Sequence, residues 1–388
     1  MLRLVPVAAL ALAAACQGRE SGPRAGDRAP SDTVAADAPD AGGLRAYVTN
    51  EDSQDLSVID TRTDSVIATI PVGTRPRGVR VTADGKKVYV ALSGSPKCPP
   101  TMPDEECEKL KADKSKDGIA EVDVASRKVT RVLPGGSDPE TFDISEDGST
   151  LFVSNEDAGL ASIVDIASGR IRDTVVVGKE PEGVTVAPDG NTVWVTGETD
   201  HNLTIIDTKS GKVLGQVEVG KRPRSLAFTP DGKRAYVTSE VDGTVWVIDV
   251  PARKSLKVIK MPEKSRPMGT EMAPDGKRVY VSNGRGGTVS VIAVGPDSIV
   301  ASIPVGQRPW GLALTPDGRK LYTANGPSND VSVVDTDKLT VIGKVPLAAV
   351  LPVTPAIVTT SPVCRLVVST VVMTIGLVFV ALLMPCAL

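Results

Sequence analysis

Seven large aromatic side chains, Tyr47, Tyr89, Phe152, Trp194, Tyr236, Tyr280 and Tyr322, recur at spacings of 42, 63, 42, 42, 44 and 42 residues. Each marks one copy of a unit, best seen in Arg308 to Lys344. There an extended run (Gly311 to Thr315) meets a Pro-Asp-Gly turn at Pro316 to Gly318. An alternating run (Lys320 to Ala324), a polar loop and two short strand-like runs, Asp330 to Val334 and Leu339 to Lys344, follow. That order predicts a four-stranded antiparallel meander. A single meander has two apolar faces and must stack on neighbours, so a recurrence of this length predicts propeller blades in a closed ring. The expected fold is all-β: a seven-bladed β-propeller over residues 44–362. The single interval of 63 residues is a unit with an insertion, within Leu92 to Gly118.

Unit one starts at its second strand, Arg45 to Thr49, and lacks the inner strand of the later units. An open ring would leave an exposed strand edge. Pro355 to Pro362 repeats the proline spacing of Pro309 to Pro316, so a C-terminal strand is expected to close blade one.

Upstream, Met1 to Ala15 carries Arg3 and then an apolar run ending in small residues, the pattern of an export signal. Cys16 follows it and resembles a bacterial lipoprotein cysteine, although Leu12 stands four residues ahead of it rather than three. Residues 16–43 hold almost no large apolar side chains and read as a lipidated cysteine with a flexible tether, with a reach on the order of 30 Å. The expected location is the bacterial cell envelope, facing the periplasm and held to the membrane by the N-terminal lipid. At the other end, 363–388 is a hydrophobic tail in which Leu366 to Met384 is uncharged, about 28 Å as a helix. A transmembrane helix and a reading-frame error near Leu347 are both open readings of it.

Up-and-down strands place two kinds of loop on opposite faces. One face carries the Asp-Gly turns from Asp84-Gly85 to Asp317-Gly318, together with Asp60, Asp123, Asp165, Asp207, Asp249 and Asp335 at the ends of third strands. Their recurrence assigns these carboxylates to turn hydrogen bonding rather than to metal binding or catalysis. The other face carries six proline-fixed entries to the inner strands: Arg75-Pro76-Arg77, Asp138-Pro139-Glu140, Glu180-Pro181-Glu182, Arg222-Pro223-Arg224, Arg266-Pro267-Met268 and Arg308-Pro309-Trp310. Their side chains ring the channel mouth. Arg75, Arg77, Arg222, Arg224, Arg266, Arg308 and Trp310 are the expected binding residues, for an envelope protein partner or a small anionic ligand. Pairing among the same charges, including Glu51, Glu156 and Glu240 in the next loops, is the competing reading.

Cys98 and Cys107 in the insertion are the expected disulfide of an exported chain, worth roughly 2.5 to 3 kcal/mol by the loop-entropy model. There is no C-x-x-C-H, the single histidine is His201, and no metal ligand set is read. A net charge of -3 and 3% aromatic residues give nucleic acid no global support.

The units resemble the YVTN family of β-propellers through Tyr47-Val48-Thr49-Asn50. Further stretches, among them Ala91 to Pro96, Ser154 to Gly159 and Ser282 to Ile292, are similar to the propellers associated with pyrroloquinoline-quinone (PQQ)-dependent catabolism. That resemblance implies an exported, non-catalytic scaffold with no cofactor of its own, accessory to PQQ-dependent alcohol oxidation or associated transport, with a PQQ-dependent dehydrogenase system as partner. Two alternatives stand beside it. One is a propeller enzyme, a lactonase-like hydrolase or an oxidoreductase subunit; the other is a single-stranded nucleic-acid binder that stacks bases on Trp310.

Overall fold

The computed structural model describes residues 43–97, 102, 104–107, 109–347, 357–358 and 380–383. Its strands form seven sheets around a ring, as the spacing predicts. Blade one contributes three strands of its own, β1 (Arg45–Asn50), β2 (Asp55–Asp60) and β3 (Ser65–Pro71). Blade two has β4 (Pro76–Val81), β5 (Lys87–Leu92), β6 (Gly118–Asp123) and β7 (Lys128–Leu133). Blade three runs β8 (Pro139–Ile144), β9 (Thr150–Asn155), β10 (Leu160–Asp165) and β11 (Arg170–Val176). Blade four is β12 (Pro181–Val186), β13 (Thr192–Gly197), β14 (Asn202–Asp207) and β15 (Val213–Glu218). Blade five is β16 (Pro223–Phe228), β17 (Arg234–Ser239), β18 (Thr244–Asp249) and β19 (Lys254–Lys260). Blade six is β20 (Pro267–Met272), β21 (Arg278–Asn283), β22 (Thr288–Ala293) and β23 (Ser298–Pro304), and blade seven β24 (Pro309–Leu314), β25 (Lys320–Asn325), β26 (Asp330–Asp335) and β27 (Thr340–Pro346). Two short C-terminal strands, β28 (Ile357–Val358) and β29 (Val380–Leu383), pair antiparallel with β1. β28 falls inside the Pro355 to Pro362 segment expected to close the ring.

The aromatic of every second strand is buried, and it sits in register with one inner-strand residue: Tyr89 opposite Arg80, Phe152 opposite Asp143, Trp194 opposite Thr185, Tyr280 opposite Glu271. Apolar clusters such as Tyr236, Val245, Ile259, Met272, Val279 and Ile292 draw on two successive blades, so each sheet buries its faces on its neighbours. Blade seven is tied to blade one by side chains as well. Tyr322 Oη donates to Asp64 Oδ1 at 2.5 Å, and Lys320 Nζ donates to Asp64 Oδ2 at 2.7 Å and to the Thr61 carbonyl at 2.8 Å.

The turn face is built as the recurrence implies. The six Asp-Gly glycines have φ between 67° and 72°, and Asp84, Asp147, Asp189, Asp231, Asp275 and Asp317 each accept the amide two residues on. The insertion adds a short helix, α1 (Asp104–Cys107), and a 3-10 turn, Lys114–Lys116. It ties blade two to both neighbours: Lys97 Nζ reaches Asp52 at 2.6 Å in blade one, and Lys114 pairs with Asp157 in blade three. Among the described residues no helix is long and apolar enough to cross a membrane. The export signal, Cys16 and its tether up to residue 42, Cys98 and with it the Cys98–Cys107 pair, and all of the tail except β28 and β29 lie outside the described residues.

Candidate active site

The site residues stand where each chain segment turns inward. All six residues before the entry prolines, Arg75, Asp138, Glu180, Arg222, Arg266 and Arg308, have φ between 47° and 60°. This left-handed conformation is costly for a non-glycine residue and recurs where surrounding structure enforces it. It turns the side chains at the entry and just after it toward the channel mouth.

Two guanidinium-centred nests result. In the first, Arg77 of blade two is buried among three carboxylates of blade three: its Nη1 lies 3.4 Å from Asp138 and 3.3 Å from Glu156, and closes on Glu140. Asp138 also accepts the Ser93 hydroxyl, and its own amide donates to Asp117 Oδ2 at 2.9 Å. Burial works to raise the Asp138 carboxyl, but Arg77, Ser93 and Arg75 hold it below its ordinary range. Glu156 moves the opposite way. Burial, with the negative charges of Asp138 and Glu198, raises its proton affinity against the pull of Arg77 and Arg75. It still keeps 21% of its side chain in solvent, whereas the Glu140 side chain is fully enclosed.

In the second nest Arg224 is fully buried. Its Nε and Nη2 donate to Glu240 Oε2 at 2.9 and 2.8 Å, and its Nη1 donates to Glu198 Oε2 at 2.5 Å and to Glu182. Glu182 and Glu198 share a hydrogen bond, and the pair splits in acidity. Burial, which outweighs Arg224, together with Glu198 pushes Glu182 well above the carboxylate range. Glu198 is pulled below that range despite its burial by Arg224, Glu182 and Arg222. Arg222 pairs with Glu198 and remains 30% exposed at the side chain. Further along, Glu51 of blade one accepts Arg75 of blade two, and Lys97 of the insertion stands 3.6 Å from it. Deeper in the channel Arg80 meets Asp143 at 3.2 Å, and burial raises the enclosed Glu271 well above its usual range.

Three residues of the first nest have the spacing of a cation site, since Asp138, Glu140 and Glu156 each offer an oxygen within 4.8 Å of the others. The position that an ion would take is held by the Arg77 guanidinium, which contacts all three. A divalent ion there would face that positive charge, so the donor set does not fit a metal and no metal-dependent step is derived from it.

Among the binding residues expected from the sequence, Arg75, Arg77 and Arg224 are buried in ion pairs, while Arg222, Arg266 and Arg308 are half-buried at the surface of the mouth. Trp310 is 1% exposed and lies under the Arg308 guanidinium, 5.4 Å from its ring centroid. Its face is therefore not free to stack a base. His201 sits in an exposed turn with Nδ1 2.9 Å from the Glu198 carbonyl. Sequence reasoning placed Glu51, Glu156 and Glu240 in the loops beside the entry charges as candidate pairing partners and missed Glu198. The signal that finds it is register: it directly follows a second strand, as the other three do, next to an arginine that needs a counter-charge.

Two family models match. The one described as "Lactonase, 7-bladed beta-propeller" covers residues 208–348, and the one described as "SMP-30/Gluconolactonase/LRE-like region" covers residues 28–241, more than half of the chain. The chain belongs to the SMP-30/gluconolactonase/LRE-like family. No curated protein matches its sequence. Among solved structures, this gluconolactonase-family propeller is similar to hydrazine synthase of Kuenenia stuttgartiensis (22% identity, TM-score 0.64, 80% of this chain and 99% of that one). It is also similar to a candidate 6-phosphogluconolactonase from Bacteroides fragilis (18%, 0.66, 82% and 98%) and to another from Bacteroides uniformis (18%, 0.63, 81% and 99%). At these identities the likeness concerns the fold. The family matches overturn the expectation of a non-catalytic scaffold accessory to alcohol oxidation: both families are named for lactone-opening enzymes, and the hydrolase alternative is the reading they support. The scaffold reading rested on too few histidines and on aspartates committed to turns. It overlooked glutamates at the mouth, whose chemistry needs no histidine.

Proposed function

We propose that this chain is a hydrolase that opens a lactone ring with Glu156 as general base. The observation that carries the reading is a carboxyl of raised proton affinity, partly open to solvent, at the rim of a concave mouth lined by guanidinium groups. A carboxylate with raised proton affinity is the stronger base. Glu156 takes a proton from a water as its oxygen bonds to the lactone carbonyl carbon. The ring C–O bond then breaks, and Glu156 returns the proton to the departing ring oxygen, leaving an open-chain hydroxy acid. In this reading Arg222, half-exposed and paired with Glu198, is assigned the stabilisation of the oxyanion that forms between the two steps. Arg77 and Arg224 act as positioning residues, keeping six carboxylates in a fixed array that would otherwise repel itself open.

The YVTN-type repeats and the likeness to quinone-associated propellers stay within this reading as features of an exported chain. Export is proposed from the signal-like Met1 to Ala15, with lipid attachment at Cys16, and membrane fractionation of tagged wild type and Cys16→Ala tests it. Turnover is tested with the purified chain on a panel of sugar and aliphatic lactones, following acid release at constant pH. Hydrolysis that Glu156→Gln suppresses supports the proposal; no hydrolysis of any member above the buffer rate overturns it.

A further inference from the structure

The mouth is not uniform around the ring, and its odd sector has a ligand chemistry of its own. The residue after the second strand is Glu51 in blade one, Glu156 in blade three, Glu198 in blade four and Glu240 in blade five, and every one of them pairs with an entry arginine. In blades six and seven the same position is Gly284 and Gly326, yet the entry arginines, Arg266 and Arg308, are kept. Glu51 of blade one meets Arg75 of blade two and Glu198 of blade four meets Arg222 of blade five, so the position that would face Arg308 is Gly284: there the counter-charge is deleted and the cation is not. Among the described residues no carboxylate lies in salt-bridge distance of Arg308 or of its neighbour Arg285.

Those two arginines border a cleft of about 420 Å³ between blades six and seven, with Gly286 and Gly306 in its walls and Gln307, Ser328 and Lys344 at its edge. Glycine is required in one wall, since a Cβ on Gly306 would stand 2.5 Å from the Asn325 side chain. The backbone amides of Gly284, Arg285, Gly286 and Gly287 are already spent within the turns. The side chains that line the cleft include three cations, Arg285, Arg308 and Lys344. Lys344 has one distant partner, Asp330 at 3.6 Å, which also accepts from Asn325. Arg308 is fixed on Trp310, so it meets a ligand with little loss of side-chain freedom.

We propose that this cleft binds an oxyanion, phosphate or carboxylate, through Arg285, Arg308 and Lys344. Two guanidinium forks and an ammonium around a space of this size match the tetrahedral or planar oxygens of such a group, and the anion replaces the carboxylates that blades six and seven lack. Burial and the adjacent Arg285 charge lower the proton affinity of Arg308 more than the Glu240 carboxylate raises it, a tension that a bound anion relieves.

The proposal is independent of turnover and is tested without it. Inorganic phosphate and gluconate are titrated separately into the purified full chain by calorimetry, to distinguish the two oxyanion chemistries. Saturable binding of at least one is expected, weakened at least tenfold in Arg285→Ala/Lys344→Ala and abolished in Gly284→Glu, which restores the missing carboxylate. Melting temperatures of the variants without anion check the fold, and Arg308→Lys, which keeps the charge, is expected to bind more weakly than wild type but measurably. Absence of binding of both anions, or equal affinity in the double variant and wild type, overturns the proposal. Glu156→Gln is expected to bind the anion as wild type does. A chain that binds phosphate but opens no lactone therefore retains the cleft and loses the hydrolase reading, and the reverse outcome does the opposite.

Discussion

Glu156 lies 3.3 Å from the Nη1 of Arg77, across a blade boundary, and is nonetheless a carboxyl whose proton affinity is raised. An arginine at that distance ordinarily does the reverse. Here the guanidinium is shared with Asp138 and Glu140, so its attraction is divided among three carboxylates while burial and their mutual repulsion act on each. Burial, reinforced by the charges of Asp138 and Glu198, outweighs Arg77 and Arg75 and leaves this glutamate basic.

Glu182 makes stability depend on pH in a defined direction. Glu182 has a folded-state affinity raised well above the ordinary carboxyl, so folding takes up a proton. The stability associated with it is full below the unfolded carboxyl pKa of about 4.3 and is lost as pH rises through the folded value. Glu182→Gln is expected to flatten that decline. Urea unfolding of wild type and variant at pH 5 and pH 9 measures it, and an identical loss in both would remove Glu182 as a cause.

The seam between blades seven and one predicts a local stability effect. Tyr322→Phe deletes a 2.5 Å hydrogen bond to Asp64 in a ring that three side-chain contacts help close. A bond to a charged acceptor contributes about 1.5–3 kcal/mol. Calorimetric melting is expected to fall by several degrees, whereas Tyr89→Phe, inside blade two, tests whether the seam differs from an intrablade bond to Glu121.

Chelation separates two chemistries. With Arg77 seated among Asp138, Glu140 and Glu156, dialysis against EDTA is expected to leave both the melting temperature and lactone turnover unchanged. Loss of turnover, restored by a divalent cation, would show that the guanidinium gives way to an ion.

The ring was legible in the sequence because the blades repeat the same devices: a buried aromatic in all seven and, in six blades each, an Asp-Gly turn with positive φ at glycine and an aspartate ending the third strand. Those devices act locally, within a few residues, and a repeat exposes them. The mouth was legible only as a list of charges. In the sequence Arg77 and Arg224 read equally as ligand-binding cations or as partners of neighbouring carboxylates, and the choice depends on contacts at separations such as 79 residues for Arg77 and Glu156. Trp310 looks like a rim aromatic, but its strand turns it into the core beneath Arg308. The glycine at the position of Glu156 in blades six and seven carries information only once the register of the second strands is known.

The most direct test is the rate of lactone opening by the purified chain and by Glu156→Gln, measured from pH 4 to pH 9. Wild type is expected to turn over with an acid limb centred above the ordinary glutamate value, since the base must be ionised to act. Removal of a general base costs about 10²–10⁴ in rate, so the variant is expected to lose at least about a hundredfold while melting within about two degrees of wild type. Equal rates in the two proteins, or an acid limb unmoved by the substitution, would contradict the assignment of Glu156 as the base.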